Sequence, residues 1–204
     1  MRRPRRYDDA GQAFPIYITV VAGLLFLAFA YLAVGQAAAN RNGAQTAADA
    51  AALAAAQETR DQLAGDWLEV VGDPTKWQDI LDGGGAVFNG CWRAYELAAQ
   101  NDAGVEDCGE SGVLGYEVVV RTDKSVGDSI VPGTEDFRST ASARAVIEPR
   151  CGFELPGGDP DDGDGNDTLP LPQLTCGDTD WDPDPDDPAT LPDPEDLFDV
   201  HLAD

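Results

Sequence analysis

The chain has 204 residues and carries 38 Asp and Glu against 13 Lys and Arg, a formal net charge of -25. A charge of that sign and size excludes nucleic acid as a partner, because phosphate would be repelled rather than neutralised. The length allows one modest folded domain beside an anchor. Lysine is scarce (Lys76 and Lys124 only, against eleven arginines), and with the heavy use of Ala and Asp this points to GC-rich coding and a bacterial source.

Residues 1–13 form a leader that is basic at Arg2, Arg3, Arg5 and Arg6 and acidic at Asp8 and Asp9. Residues 14–34 are a 21-residue apolar run with no charge. At about 1.5 Å per residue this predicts a helix long enough for a bilayer core of about 30 Å. Pro15 falls in the first turn, where its missing N–H matters little. Four arginines precede the run and only Arg41 follows at comparable distance, so the N-terminus is expected in the cytoplasm and the remainder outside the cell. The lipid bilayer is then the first partner.

Residues 35–65 continue as proline-free, Ala-rich text, and alanine has no side-chain entropy to lose in a helix. One rod from about residue 13 to 63, roughly 75 Å long, is expected. Small residues recur every fourth position at Gly35, Ala39, Gly43, Ala47, Ala51 and Ala55, with a second row at Ala44, Ala48, Ala52 and Ala56. Such rows let two helix backbones approach closely. Packing against a second helix is favoured over a mere spacer.

Residues 66–153 read as a small extracellular α+β domain. Asp73-Pro74 marks a helix start, with a short helix over 75–81 stopped by Gly83-Gly84-Gly85. A second helix covers 89–100. Over 116–122, Tyr116, Val118 and Val120 share one face of a strand, and over 140–147 Ala141, Ala143, Ala145 and Ile147 do the same. A loop around Val131-Pro132-Gly133 joins them as an antiparallel pair. Two strands alone are marginal, so the helices, Trp67 and Trp77 must cover them.

Cys91, Cys108, Cys151 and Cys176 all follow the apolar run, and an even count on an exported segment favours disulfides. Three pairings are open. Cys91–Cys108 and Cys151–Cys176 are favoured, because they join nearest neighbours and close short loops. There is no CxxC, and His201 is the sole histidine, which disfavours zinc.

Residues 154–204 change to Gly, Pro and Asp. From 157 to 204 there are sixteen acids and no Lys or Arg. So few apolar side chains cannot offset the entropy of ordering, so a mostly disordered acidic tail is expected, with 197–202 apolar enough to dock. Asp162, Asp164 and Asn166 lie in a run with oxygen ligands at alternate positions, as calcium loops have. However, Gly165 comes three residues after Asp162 rather than five, and no Glu closes a twelve-residue loop. A solvated linker is the favoured reading and weak calcium association the alternative. No nucleophile motif occurs, carboxylates on a hydrated chain keep ordinary acidity, and neither catalysis nor a cofactor is expected.

Three pieces carry a family resemblance. They are Arg5-Arg6-Tyr7-Asp8-Asp9-Ala10-Gly11-Gln12-Ala13-Phe14-Pro15, the single span, and Gln45-Thr46-Ala47-Ala48-Asp49-Ala50-Ala51-Ala52-Leu53-Ala54. Over about residues 5–60 the chain resembles TadE/TadG-type pilus-assembly proteins of the tight-adherence (Flp, type IVb) system. The resemblance implies a structural, non-catalytic component at the cell surface that associates with itself or with other Tad subunits. It also implies cleavage by a prepilin peptidase between Gly11 and Gln12. The fifth residue after Gly11 is Ile16, where true pilins carry Glu. A rival reading is a membrane-tethered binding module for calcium or a basic partner. Ala37-Ala38-Ala39 before Asn40 is similar to a signal-peptidase site, but a 21-residue core exceeds the usual 7–15, so retention in the membrane is expected.

Overall fold

A computed structural model describes residues 13–85, 89–125, 136–155 and 171–203. The leader 1–11, the Gly11–Gln12 bond, the loop around Val131 and the calcium candidates Asp162, Asp164 and Asn166 lie outside the described residues.

The alanine-rich text forms one unbroken helix, α1 (Ala13–Glu69), of 57 residues, about 85 Å long. It begins where expected and runs six residues further than the sequence suggested. A 3-10 turn (Pro74–Lys76) leads into α2 (Trp77–Leu81), and Cys91–Gln100 form α3. Four strands make an antiparallel sheet: β1 (Ala103–Glu110), β2 (Gly115–Thr122), β3 (Thr140–Pro149) and β7 (Phe198–Leu202), in the order β1-β2-β3-β7. Three short strands, β4 (Cys151–Phe153), β5 (Leu174–Cys176) and β6 (Thr179–Trp181), make a second antiparallel sheet in sequence order. A 3-10 turn (Pro188–Thr190) and α4 (Pro194–Leu197) precede β7.

The two strands read from alternation are β2 and β3, paired from Gly115↔Val146 to Arg121↔Thr140. Tyr116, Val118 and Val120 are buried, as are Ala145 and Ile147, so the apolar face is the one that periodicity selects. The core is two layers deep. Ala44, Ala47, Ala48, Ala51, Ala52, Ala55 and Ala56 of α1 are all fully buried against β2, β3 and α3. Small side chains here bring helix and sheet backbones close together. The approach to α3 is as close at its N-cap Gly90: a Cβ built there would lie 2.1 Å from the carbonyl oxygen of Ala55. At the far end of α1 the filling changes to large rings. Trp67 and Trp77 meet at 5.2 Å between centroids, and Trp77 meets Phe153 edge-on at 5.1 Å.

Three expectations need correction. The sheet has four strands rather than two. Strand β1 alternates poorly: it is an edge strand of mostly exposed or half-buried residues, with a bulge between Val105 and Asp107. The described part of the acidic tail, 171–203, is ordered: it carries three strands, a helix and a 3-10 turn. Leu174, Leu197 and Phe198 are fully buried, Pro172, Pro183 and Pro192 are buried beside them, and β7 completes the main sheet against 145–149 of β3. Proline lowers the entropy of the unfolded chain, so few apolar contacts suffice. The domain therefore does not end at 153: it takes its floor from α1 and its last strand from the tail.

Both disulfides join nearest neighbours. Cys91 at the start of α3 bonds Cys108 in β1, and Cys151 bonds Cys176, its register partner across β4 and β5.

Candidate functional site

Helix α1 has two halves of opposite character. Residues 44–67 furnish the floor of the domain. Before them, Phe14, Ile16, Tyr17, Leu24, Leu25, Phe26, Leu27, Phe29, Tyr31 and Val34 are each more than half exposed. In water such a surface would be ruinous, because apolar area on this scale is rarely left uncovered. The stretch is long and apolar enough to cross a membrane.

The small-residue row divides at the same boundary. Gly35, Ala39 and Gly43 are exposed, whereas Ala47, Ala51 and Ala55 are buried inside the chain's own domain. Half of the row is therefore occupied by β2, β3 and α3, leaving only its first three members for a neighbouring helix.

The junction between the halves is pinned by hydrogen bonds. The Asn40 side-chain amide donates to the backbone carbonyl of Lys124 at 3.0 Å, and the Thr122 hydroxyl donates to Lys124 O at 2.9 Å or to Asn40 Oδ1 at 3.3 Å. The Ser139 N–H donates to the same hydroxyl at 3.1 Å. Gln45 adds amide bonds to Asp49 Oδ1 at 2.8 Å and to the Ser142 carbonyl at 3.4 Å. A signal-peptidase cut after Ala39 would fall within this continuous helix, one bond before the pinned Asn40.

Among the described residues the clefts hold no reactive set. The one beside the junction has a volume of about 550 Å³ and is lined by Arg41, Asn42, Gln45, Glu117, Val119, Thr140, Ala141 and Ser142. Another, of about 340 Å³, lies between the β1–β2 turn and 144–149 of β3. Among the described residues no three His, Cys, Asp or Glu converge as metal ligands. His201 pairs with Asp199 at 2.9 Å on the exposed side of β7. All four cysteines are in disulfides. Asp73 is held below the usual aspartate range by the Thr75 hydroxyl, which donates to it at 2.6 Å, and then by Lys76 at 3.0 Å. This is a helix-start arrangement rather than an acid–base pair.

The feature that stands out is therefore α1 itself: a naked apolar rod that becomes the spine of a domain. Residues 11–58 match the family model described as "Putative Flp pilus-assembly TadE/G-like". The match spans the exposed rod and most of the buried alanine rows, 48 of the 204 residues (11 through 58). It falls on the same segment as the resemblance read from the leader, the span and the Gln45–Ala54 stretch. No curated protein and no solved structure matches the chain. What the TadE/G-like segment leaves uncovered is everything that folds onto it: α2, α3, both sheets and both disulfides.

Proposed function

We propose that this protein is a non-catalytic assembly component of a tight-adherence (Flp) pilus. It is anchored by 14–34 as a single span, with its N-terminus cytoplasmic and its domain outside the cell. The TadE/G-like match over 11–58 is the single observation that carries this reading. The exposed apolar half of α1 supports the anchor, and the arginine asymmetry around it supports the orientation. Two disulfides suit an exported, oxidising location. The partners are other Tad subunits or further copies of the chain, met through the span and the exposed Gly35, Ala39 and Gly43.

Crosslinking of the full chain in cells making Flp pili, followed by purification from membranes, tests the proposal. Ladders of the chain or co-purified pilus subunits are expected. A protein recovered alone, from cells whose pili are unaffected by its deletion, would remove it. The rival binding module draws on one observation: 171–203 hold ten acids and no Lys or Arg. Capture of a basic partner by an otherwise solitary anchored chain would favour that reading.

A further inference from the structure

We infer that the folded domain itself rests on the membrane surface, through the end that carries Arg41, Lys124, Phe137 and Arg138. The inference depends on 14–34 being a membrane span and adds to it a second, peripheral contact with the lipid headgroups.

The argument begins with length. Helix α1 is uninterrupted between Val34, the last residue of the apolar run, and Asn40, where the sheet is pinned through Lys124 and Thr122. Six residues of helix rise about 9 Å. The headgroup layer on each side of a bilayer core is about 5–7 Å deep. The near end of the domain is thus held within a side-chain length of the headgroups. No flexible linker separates it from the span, because floor and span are the same helix.

Chemistry at that end agrees with the placement. Four of the thirteen Lys and Arg lie in the leader, which leaves nine. Four of those nine, Arg41, Arg121, Lys124 and Arg138, lie within three residues of the Asn40–Thr122–Ser139 cluster. Lys124 pairs with Asp102 at 3.0 Å and Arg121 with Glu106 at 3.0 Å. Asp123 and Asp136 also lie there. Arg41 and Arg138 have no ion pair among the described residues and are exposed. Among the described residues this end is close to neutral, while the opposite end bears the ten acids of 171–203, with Arg150 against Glu195. An anionic lipid surface repels the acidic end and tolerates the near one, so charge and tether set the same orientation. Phe137 is 67% exposed two residues from Ser139, an apolar ring presented to solvent at this same end. Basic side chains near an anionic surface each contribute about 1 kcal/mol, a factor of about five.

Tryptophan quenching by brominated lipid tests this. The full chain is reconstituted into vesicles of equal parts phosphatidylcholine and phosphatidylglycerol, and flotation is scored first. The native tryptophans sit far from the bilayer: Trp92 lies beside the Gly90–Ala55 contact, about 30 Å along α1 from Val34, and Trp67, Trp77 and Trp181 belong to the distal end. Phe137→Trp is expected to add emission that brominated lipid quenches, with little quenching in the parent. Removing a cation by Arg41→Gln or Arg138→Gln is expected to shift the docked population about fivefold, and added salt to act in the same direction. Flotation without quenching of the added tryptophan overturns the docking and leaves the anchor standing. Failure to float overturns the anchor and the docking with it. Should Phe137→Trp disturb folding, a spin label at Arg138→Cys read against a lipid-soluble relaxer decides the same question.

Discussion

The hydroxyls of Thr59 and Tyr116 share a hydrogen bond of 2.9 Å, both groups buried, fifty-seven residues apart in sequence. The Gly90 N–H donates to the same phenol oxygen at 2.9 Å. One side chain of β2 thereby ties the spine helix to the start of α3, at the point where Gly90 touches Ala55. It is the buried counterpart of the exposed ties that Asn40 and Gln45 make to the sheet.

Tyr116→Phe should destabilise the domain by about 1–3 kcal/mol, since it strands a buried hydroxyl and a buried N–H. Denaturant unfolding of the detergent-solubilised full chain, followed by tryptophan emission, measures it. An unchanged midpoint would mean that water reaches the site.

Gly90→Ala should be far worse, beyond about 4 kcal/mol, because the added methyl meets backbone at 2.1 Å rather than a side chain able to turn away. The glycine is needed for space, since its φ of -68° suits any residue. Gly109→Ala, with open space around it, is the control and should shift the midpoint little.

The divided alanine row gives a paired test. Ala51→Leu, at a fully buried position, should cost about 1–3 kcal/mol through overpacking. Ala39→Leu, exposed, should leave unfolding unchanged and weaken only helix–helix association, read as loss of crosslinked dimers in membranes. Equal effects of the two on folding would contradict the buried floor.

Replacing Cys151 and Cys176 with Ser should lower stability by about 2–4 kcal/mol, on the entropy of the loop that the bond closes. Limited proteolysis should then cut first within 171–203, because the bond holds β5 beside β4. An unchanged cleavage pattern and midpoint would show that the buried Leu174, Leu197 and Phe198 hold the segment without the bond.

Asp73 offers a pH test of known sign. Its folded pKa is depressed, chiefly by the Thr75 hydroxyl, so the bond is intact above the ordinary aspartate pKa and is lost as pH falls through the lower folded value. Thr75→Val should move the NMR titration midpoint of Asp73 upward more than Lys76→Met does.

The long apolar run, the unbroken helix, the faces of β2 and β3 and the nearest-neighbour cysteine pairs were legible in the sequence. Each rests on local periodicity, on an uninterrupted run, or on short loop closure. The sequence could not say which neighbour would use the alanine rows. A small side chain permits close approach by any backbone, and here the chain's own sheet took Ala47, Ala51 and Ala55, leaving Gly35, Ala39 and Gly43 exposed. Nor could composition place the acidic segment. Phe198–Leu202 become a strand because β3 presents an open edge at 145–149 and because Cys176 is held beside Cys151. Those conditions arise between residues 25 to 57 apart, and only the assembled fold brings them together. The long apolar helix was therefore settled by a run within one stretch of chain, and the domain's last strand by a vacancy in the sheet that no stretch shows alone.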